Sequence, residues 1–166
     1  MIQRTPINMA AYVRRSRSAC FVCEIINRNP EYRHFILYED ANSIVFLNKY
    51  PTLYGYTLVA PRRHVEQATG GFTLDEYLAL QKVIFFVAEA VRQEVPTERI
   101  YILTLGSQQG NRHVHWHVAP LPPGVPYEEQ QLEALMLTKG VLALPDEEMA
   151  HLALRISKRL EDLIGC

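Results

Sequence analysis

Several features that would fix the class of this chain at once are missing from it. No apolar run reaches the roughly 18 residues that a membrane-spanning helix needs. No internal repeat or low-complexity tract is present. Charge is balanced, with 17 Lys and Arg against 18 Asp and Glu. A formal net charge of −1 gives no overall electrostatic reason to bind DNA, RNA or an acidic membrane, so a small-molecule partner is expected. The first 19 residues hold Arg4, Arg14, Arg15 and Arg17, no acid, and none of the continuous apolar stretch of a secretory signal. They read as a partly ordered basic arm, with contact to a partner subunit or a polyphosphate as the alternative, and the cytoplasm is the expected location. Cysteine is scarce, at three residues. Two of them form Cys20-Phe21-Val22-Cys23, which without a leader reads as a metal or redox motif more readily than as a disulfide framework.

What remains is ordinary globular material: 48% hydrophobic and 21% charged residues in a length suited to one core. Short segments rich in β-branched and aromatic residues predict strands over His34–Glu39, Ser43–Leu47, Tyr56–Ala60, Ile100–Leu105 and His113–Ala119. Asp40-Ala41-Asn42 suits a tight turn, so the first two strands are expected as a hairpin. Thr73-Leu74-Asp75-Glu76 has the form of a capping box. Tyr77, Leu80, Ile84, Val87 and Val91 then recur at helical spacing until Pro96 stops the run. Beyond the breaker run Leu121–Pro126, two amphipathic helices are predicted near Tyr127–Thr138 and Asp146–Ile164. The order of elements predicts an α+β fold with an antiparallel sheet.

One strand-like segment carries a row of histidines, His113-Val114-His115-Trp116-His117. Alternate residues of a strand share a face, so the three rings should line one side, about 7 Å apart, while Val114, Trp116 and Val118 fill the core. Imidazole titrates near neutrality and can serve as nucleophile, acid or hydrogen-bond donor. The row therefore reads as phosphate chemistry, with a metal site or plain packing as the alternatives.

The segment His113–Ala119 resembles the His-φ-His-φ-His-φ-φ signature of the histidine triad (HIT) superfamily. Gly55–Val65 looks like that superfamily's second block, and Cys20–Ile26 like the opening of its zinc-containing branch, so the likeness spans roughly residues 20–123. The resemblance implies a five-stranded antiparallel sheet with packed helices and a homodimer. With the likeness confined to its middle, the chain is expected to comprise an arm (1–19), a HIT domain (20–124) and a C-terminal helical extension (125–166) packed on the same domain. The resemblance also implies hydrolysis or transfer of nucleoside monophosphates from dinucleoside polyphosphates, such as diadenosine polyphosphates, or from nucleoside phosphoramidates. His115 would become transiently nucleotidylated and His117 would donate to the α-phosphate. Asn48 stands where the family places a ribose-contacting residue. The loop Gly106–Asn111 is rich in donors, with Ser107, Gln109 and Asn111 as phosphate-contacting candidates.

In the zinc-containing branch the ligands resemble Cys20, Cys23, His64 and His113, a closed four-ligand set that would hold a structural zinc and fix His113. One position departs from the pattern. Where many members carry a histidine after the glycine of the second block, this chain has Tyr56, a phenol whose ordinary pKa near 10 makes it a poor proton shuttle. The reading that competes with an enzyme is a zinc-stabilised nucleotide-binding or signalling module with little turnover.

Overall fold

The computed structural model describes residues 2–165; Met1 of the expected arm and Cys166 of the expected extension lie outside them. In chain order the elements are β1 (Arg4–Thr5), α1 (Met9–Ser18), α2 (Phe21–Ile26), β2 (Ile36–Glu39), β3 (Ser43–Leu47) and β4 (Thr57–Pro61). There follow α3 (Leu74–Glu94), β5 (Arg99–Thr104), β6 (Trp116–Leu121), α4 (Leu132–Leu135), β7 (Val141–Leu142) and α5 (Asp146–Ile164). The strands β2 to β6 make one five-stranded antiparallel sheet in the order β2-β3-β4-β6-β5. The fold is α+β, as the sequence predicts.

Local chemistry explains the elements that matter most. The Asp40 carboxylate accepts from the Asn42 and Ser43 N–H groups and from the Ser43 hydroxyl, which closes the β2–β3 hairpin. The capping box of α3 is complete: Thr73 Oγ accepts from Glu76 N, and the Glu76 carboxylate accepts from Thr73 N at 2.7 Å. Leu80, Ile84, Val87 and Val91 of α3 are buried, and the helix ends at Glu94, ahead of Pro96.

Both faces of the sheet are covered, so β3 and β4 are buried along their whole length. Alternation sorts their residues into two cores. Val45, Leu47 and Val59 pack with Val114, Trp116 and Val118 under α3 and α5. Ile44, Phe46, Leu58 and Ala60 pack on the opposite face with Val22 and Ile25 of α2, Tyr32 and Ala134. His117 is paired with Leu58, so the same alternation turns it toward the second face, the side that carries the candidate site.

Two predicted elements come out differently. The triad strand begins at Trp116 rather than His113: Val114 N donates instead to Val65 O, and the Thr104 hydroxyl to His115 O, so residues 113–115 are held outside the ladder. The helix predicted near 127–138 is broken into single turns at Tyr127–Glu129 and Leu137–Lys139 around the four-residue α4. Gln131, with φ +56°, is the break; its N–H donates to the Tyr101 hydroxyl and not to a helical carbonyl. The first 19 residues contain β1, which pairs with β7, and a ten-residue helix α1.

Candidate functional site

Cys20, at the N-cap of α2, and Cys23, in its first turn, face His64 and His113. His113 Nδ1 lies 3.4 Å from Cys20 Sγ and 3.6 Å from Cys23 Sγ, and Cys23 Sγ lies 3.3 Å from His64 Nδ1. All four ligand atoms fall within 4.8 Å of one another. Sulfur at about 2.3 Å and nitrogen at about 2.0 Å from a tetrahedral zinc would stand about 3.5 Å apart, so the donor set and its spacing fit that ion. The outer nitrogens are occupied: His113 Nε2 donates to Pro61 O at 2.8 Å and His64 Nε2 faces Glu66 at 3.1 Å, which aims both Nδ1 atoms at the centre. Burial and the Cys20 sulfur push the Cys23 thiol up to about 12, and burial first of all lowers His113 to about 4. Ion binding here must therefore expel a thiol proton, whereas the imidazole is already neutral.

The two other triad histidines sit together beyond this cluster, with ring centroids 4.8 Å apart, closer than an ideal strand spacing. His115 is 4% exposed, and its Nδ1–H donates to His113 O at 2.8 Å, which leaves the Nε2 lone pair free. His117 Nδ1 lies 2.9 Å from the Tyr56 hydroxyl, while its Nε2 is buried without a partner. Burial lowers His115 below the usual imidazole value and, with the neighbouring His115, brings His117 to about 3. Burial likewise raises Tyr56, so at neutral pH all three groups are uncharged. The turn that presents Tyr56 depends on Gly55, at φ +85°, where a Cβ would stand 3.1 Å from Val95.

His115 and His117 open on a cavity of about 240 Å³. The structure brings Asn48, Tyr56 and Asn111 to it as well. Asn48 arrives with its Oδ1 already accepting from Tyr50 N at 2.9 Å, so its free donor is the amide NH₂. Gln109 and Ser107 are placed elsewhere. Gln109 lines the neighbouring groove beside Cys20, and its Oε1 accepts from Arg17 at 3.4 Å; the Ser107 hydroxyl accepts from Gln109 N within the same turn.

Three groups of lining residues escaped the sequence reading. Tyr12, Arg15 and Ser16 reach the cavity from α1, Lys49 and Thr52 from the β3–β4 loop, and Leu135 and Leu137 from the C-terminal segment. Helix α1 lies close against the donor loop. Asn111 N donates to Ser16 O and its amide to the Tyr12 hydroxyl, and a Cβ on Gly110 would come within 3.0 Å of Ser16. The signal in this segment is its run of arginines, Arg15 among them, whose alternative reading is contact with a polyphosphate; Tyr12 and Ser16 give none.

Comparison with known proteins matches the HIT domain to residues 29–123. An uncharacterised HIT-like protein of Saccharolobus solfataricus is 30% identical over 104 residues, 61% of this chain and 73% of that protein. Among solved structures, a hypothetical histidine triad nucleotide-binding protein of Sulfolobus tokodaii superposes with a TM-score of 0.69 at 28% identity, covering 87% of this chain and 93% of its own. A zinc-bound histidine triad family protein of Mycobacterium smegmatis shares the fold with a TM-score of 0.66 at 20% identity, over 89% of this chain and 96% of its own.

Proposed function

The chain belongs to the HIT domain family, and on that premise we propose that it is a nucleotide hydrolase or nucleotidyltransferase acting at an α-phosphate through His115. One observation carries the reading: His115 presents an unprotonated Nε2 to the cavity because its Nδ1–H is committed to His113 O. Nε2 attacks the α-phosphorus, the bond to the leaving group breaks, and a nucleotidyl-histidine results. The ring then carries a positive charge, which the His113 carbonyl stabilises at Nδ1–H. Water or phosphate displaces the nucleotide and returns the lone pair to Nε2.

His117 assists through the atom the fold leaves unpaired. With the neutral Tyr56 phenol donating to Nδ1, His117 holds its proton on Nε2, aimed at the charge that grows on the phosphate oxygens. Tyr56 thus acts as an orienting group and need not shuttle protons. Asn48 and Asn111 are assigned to substrate contact from the cavity wall. Gln109 and Ser107 support the donor loop in this arrangement and reach a phosphate only if the Arg17 contact opens.

Zinc, held by Cys20, Cys23, His64 and His113, would lock the start of the catalytic segment; this assignment rests on the donor set and its spacing. The substrate class we assign is a dinucleoside polyphosphate or nucleoside phosphoramidate, and the working form a homodimer. The test is turnover of a panel of both compound types, with and without inorganic phosphate, by wild type and His115→Asn. Wild type should turn over at least one class and the variant none. Equal low rates from both proteins would favour the binding module instead.

A further inference from the structure

The far end of the nucleotide cavity differs in character from its histidine end. A chain of rings leads away from the chemistry: Phe21 lies 5.2 Å from His115, Phe46 lies 6.2 Å from Phe21, and His34 lies 5.3 Å from Phe46. His34 Nδ1 is bonded to Tyr32 O, and Arg15 lies over the Tyr32 ring at 4.3 Å. Arg15 from α1 and Lys49 from the β3–β4 loop therefore converge around Tyr32 and His34 on the cavity wall, and no Asp or Glu lines that cavity.

The groups at this end leave donors over. Arg15 spends one N–H on Glu31 O at 2.5 Å, out of the five a guanidinium carries. Thr52, 1% exposed and part of the same wall, has a hydroxyl with no partner. Lys49 is held below its usual value by burial and then by Arg15, with Asp146 opposing from a neighbouring groove that Lys49 and His34 also line. His34, lowered by burial and again by Lys49 and Arg15, stays neutral and adds no charge. Two mutually repelling cations and an unsatisfied hydroxyl on one cavity wall, with no acid among the lining residues, form a site complementary to an anion.

We infer that Arg15, Lys49 and Thr52 form a second anion subsite, and that the preferred nucleotide carries a phosphate on its ribose in addition to the phosphate attacked by His115. Phe21, Tyr32 and Leu58 on the cavity wall are the right material for the nucleoside, and Asn48, next to Lys49 in the chain, lines the same cavity. This inference rests on the nucleotide reading of the cavity, deepens its substrate class, and makes Arg15 and Lys49 specificity residues.

The test is calorimetric binding of adenosine 5′-monophosphate, adenosine 5′-diphosphate and the adenosine 2′,5′- and 3′,5′-bisphosphates to the intact chain. One bisphosphate should bind about tenfold more tightly than the monophosphate, the increment of about one charge-assisted pair. Which isomer gains identifies the ribose position. Arg15→Gln and Lys49→Gln should each abolish most of that gain, read as the ratio of bisphosphate to monophosphate affinity measured on the same variant. Thr52→Val should reduce it at constant side-chain shape. The inference is overturned if neither bisphosphate gains, if the diphosphate alone gains, or if the gain survives both charge substitutions. If the monophosphate itself fails to bind wild type, it is the nucleotide reading of the whole cavity that fails.

Discussion

At the scale of single residues, two imidazoles of one short segment are made unlike by the hydrogen bond each Nδ1 makes. His115 gives its Nδ1 proton to a backbone carbonyl, and His117 meets a phenol. Tyr56→Phe removes that phenol and keeps its ring, so His117 loses the partner that fixes its proton on Nε2. We predict a fall in kcat of about tenfold with little change in KM, the size seen when a residue that orients a histidine is lost. Unchanged kcat in steady-state assays would remove Tyr56 from the mechanism.

The pH dependence belongs to the same scale. Burial lowers His115 below the ordinary 6.5 and puts His117 at about 3, so both remain neutral as pH falls through 6.5. A nucleophile must be unprotonated, so activity should hold its plateau through pH 6.5 and decline only at lower pH. An acid limb of kcat/KM centred on 6.5 would show that His115 titrates as an exposed imidazole and that the burial account is wrong.

At the scale of elements, the candidate metal centre joins three pieces: the start of α2, the loop after β4, and the segment leading into β6. Cys20→Ser should lower bound zinc from about one per chain to well below half and reduce Tm by about 5 °C or more, since metal binding contributes to folding. It should change kcat of the folded fraction far less than His115→Asn does. Wild-type protein purified without chelators that contains no zinc would remove the metal from the account.

Elements also show what local sequence can reveal. The cap of α3 and the Asp40 turn were legible because their partners lie within three residues. The cysteine pair and triad were legible because spacing alone brings their donors to one side. The β6 start was not, because residues 113–115 spend their backbone groups on Val65 and Thr104, far from them in sequence. Nor was the break at Gln131, where an apolar pattern that reads as a helix is overruled by a bond to Tyr101. The placing of α1, Lys49 and Thr52 on the cavity wall was not legible for the same reason, since α1 is held by contacts to the donor loop, the turn before β2 and the β3–β4 loop.

At the scale of the molecule, residues before, within and after the matched span 29–123 line the cavity together, so that span alone would lack two of its walls. Among the described residues no helix is long and apolar enough to cross a membrane. On α3, Leu74, Leu78 and Phe85 are exposed, Phe85 to 60%, and α3 packs beside the edge strand β5, where Ile102 is 49% exposed. Such a surface is well suited to a second subunit. Light scattering should give twice the 19.1 kDa of one chain, and Phe85→Glu should shift the mass toward the monomer. A monomeric wild type at micromolar concentration would contradict the assembly.

The central claim concerns one bond, between phosphorus and His115 Nε2. Rapid-quench mass spectrometry, during turnover of whichever polyphosphate or phosphoramidate the panel identifies, observes that bond directly. We predict a single nucleotidyl mass increment, that of the nucleoside monophosphate less one water, mapped to the peptide that contains His115. It should appear before free product and be absent from His115→Asn. Product formation with no adduct on that peptide, at quench times shorter than one turnover, would contradict the account.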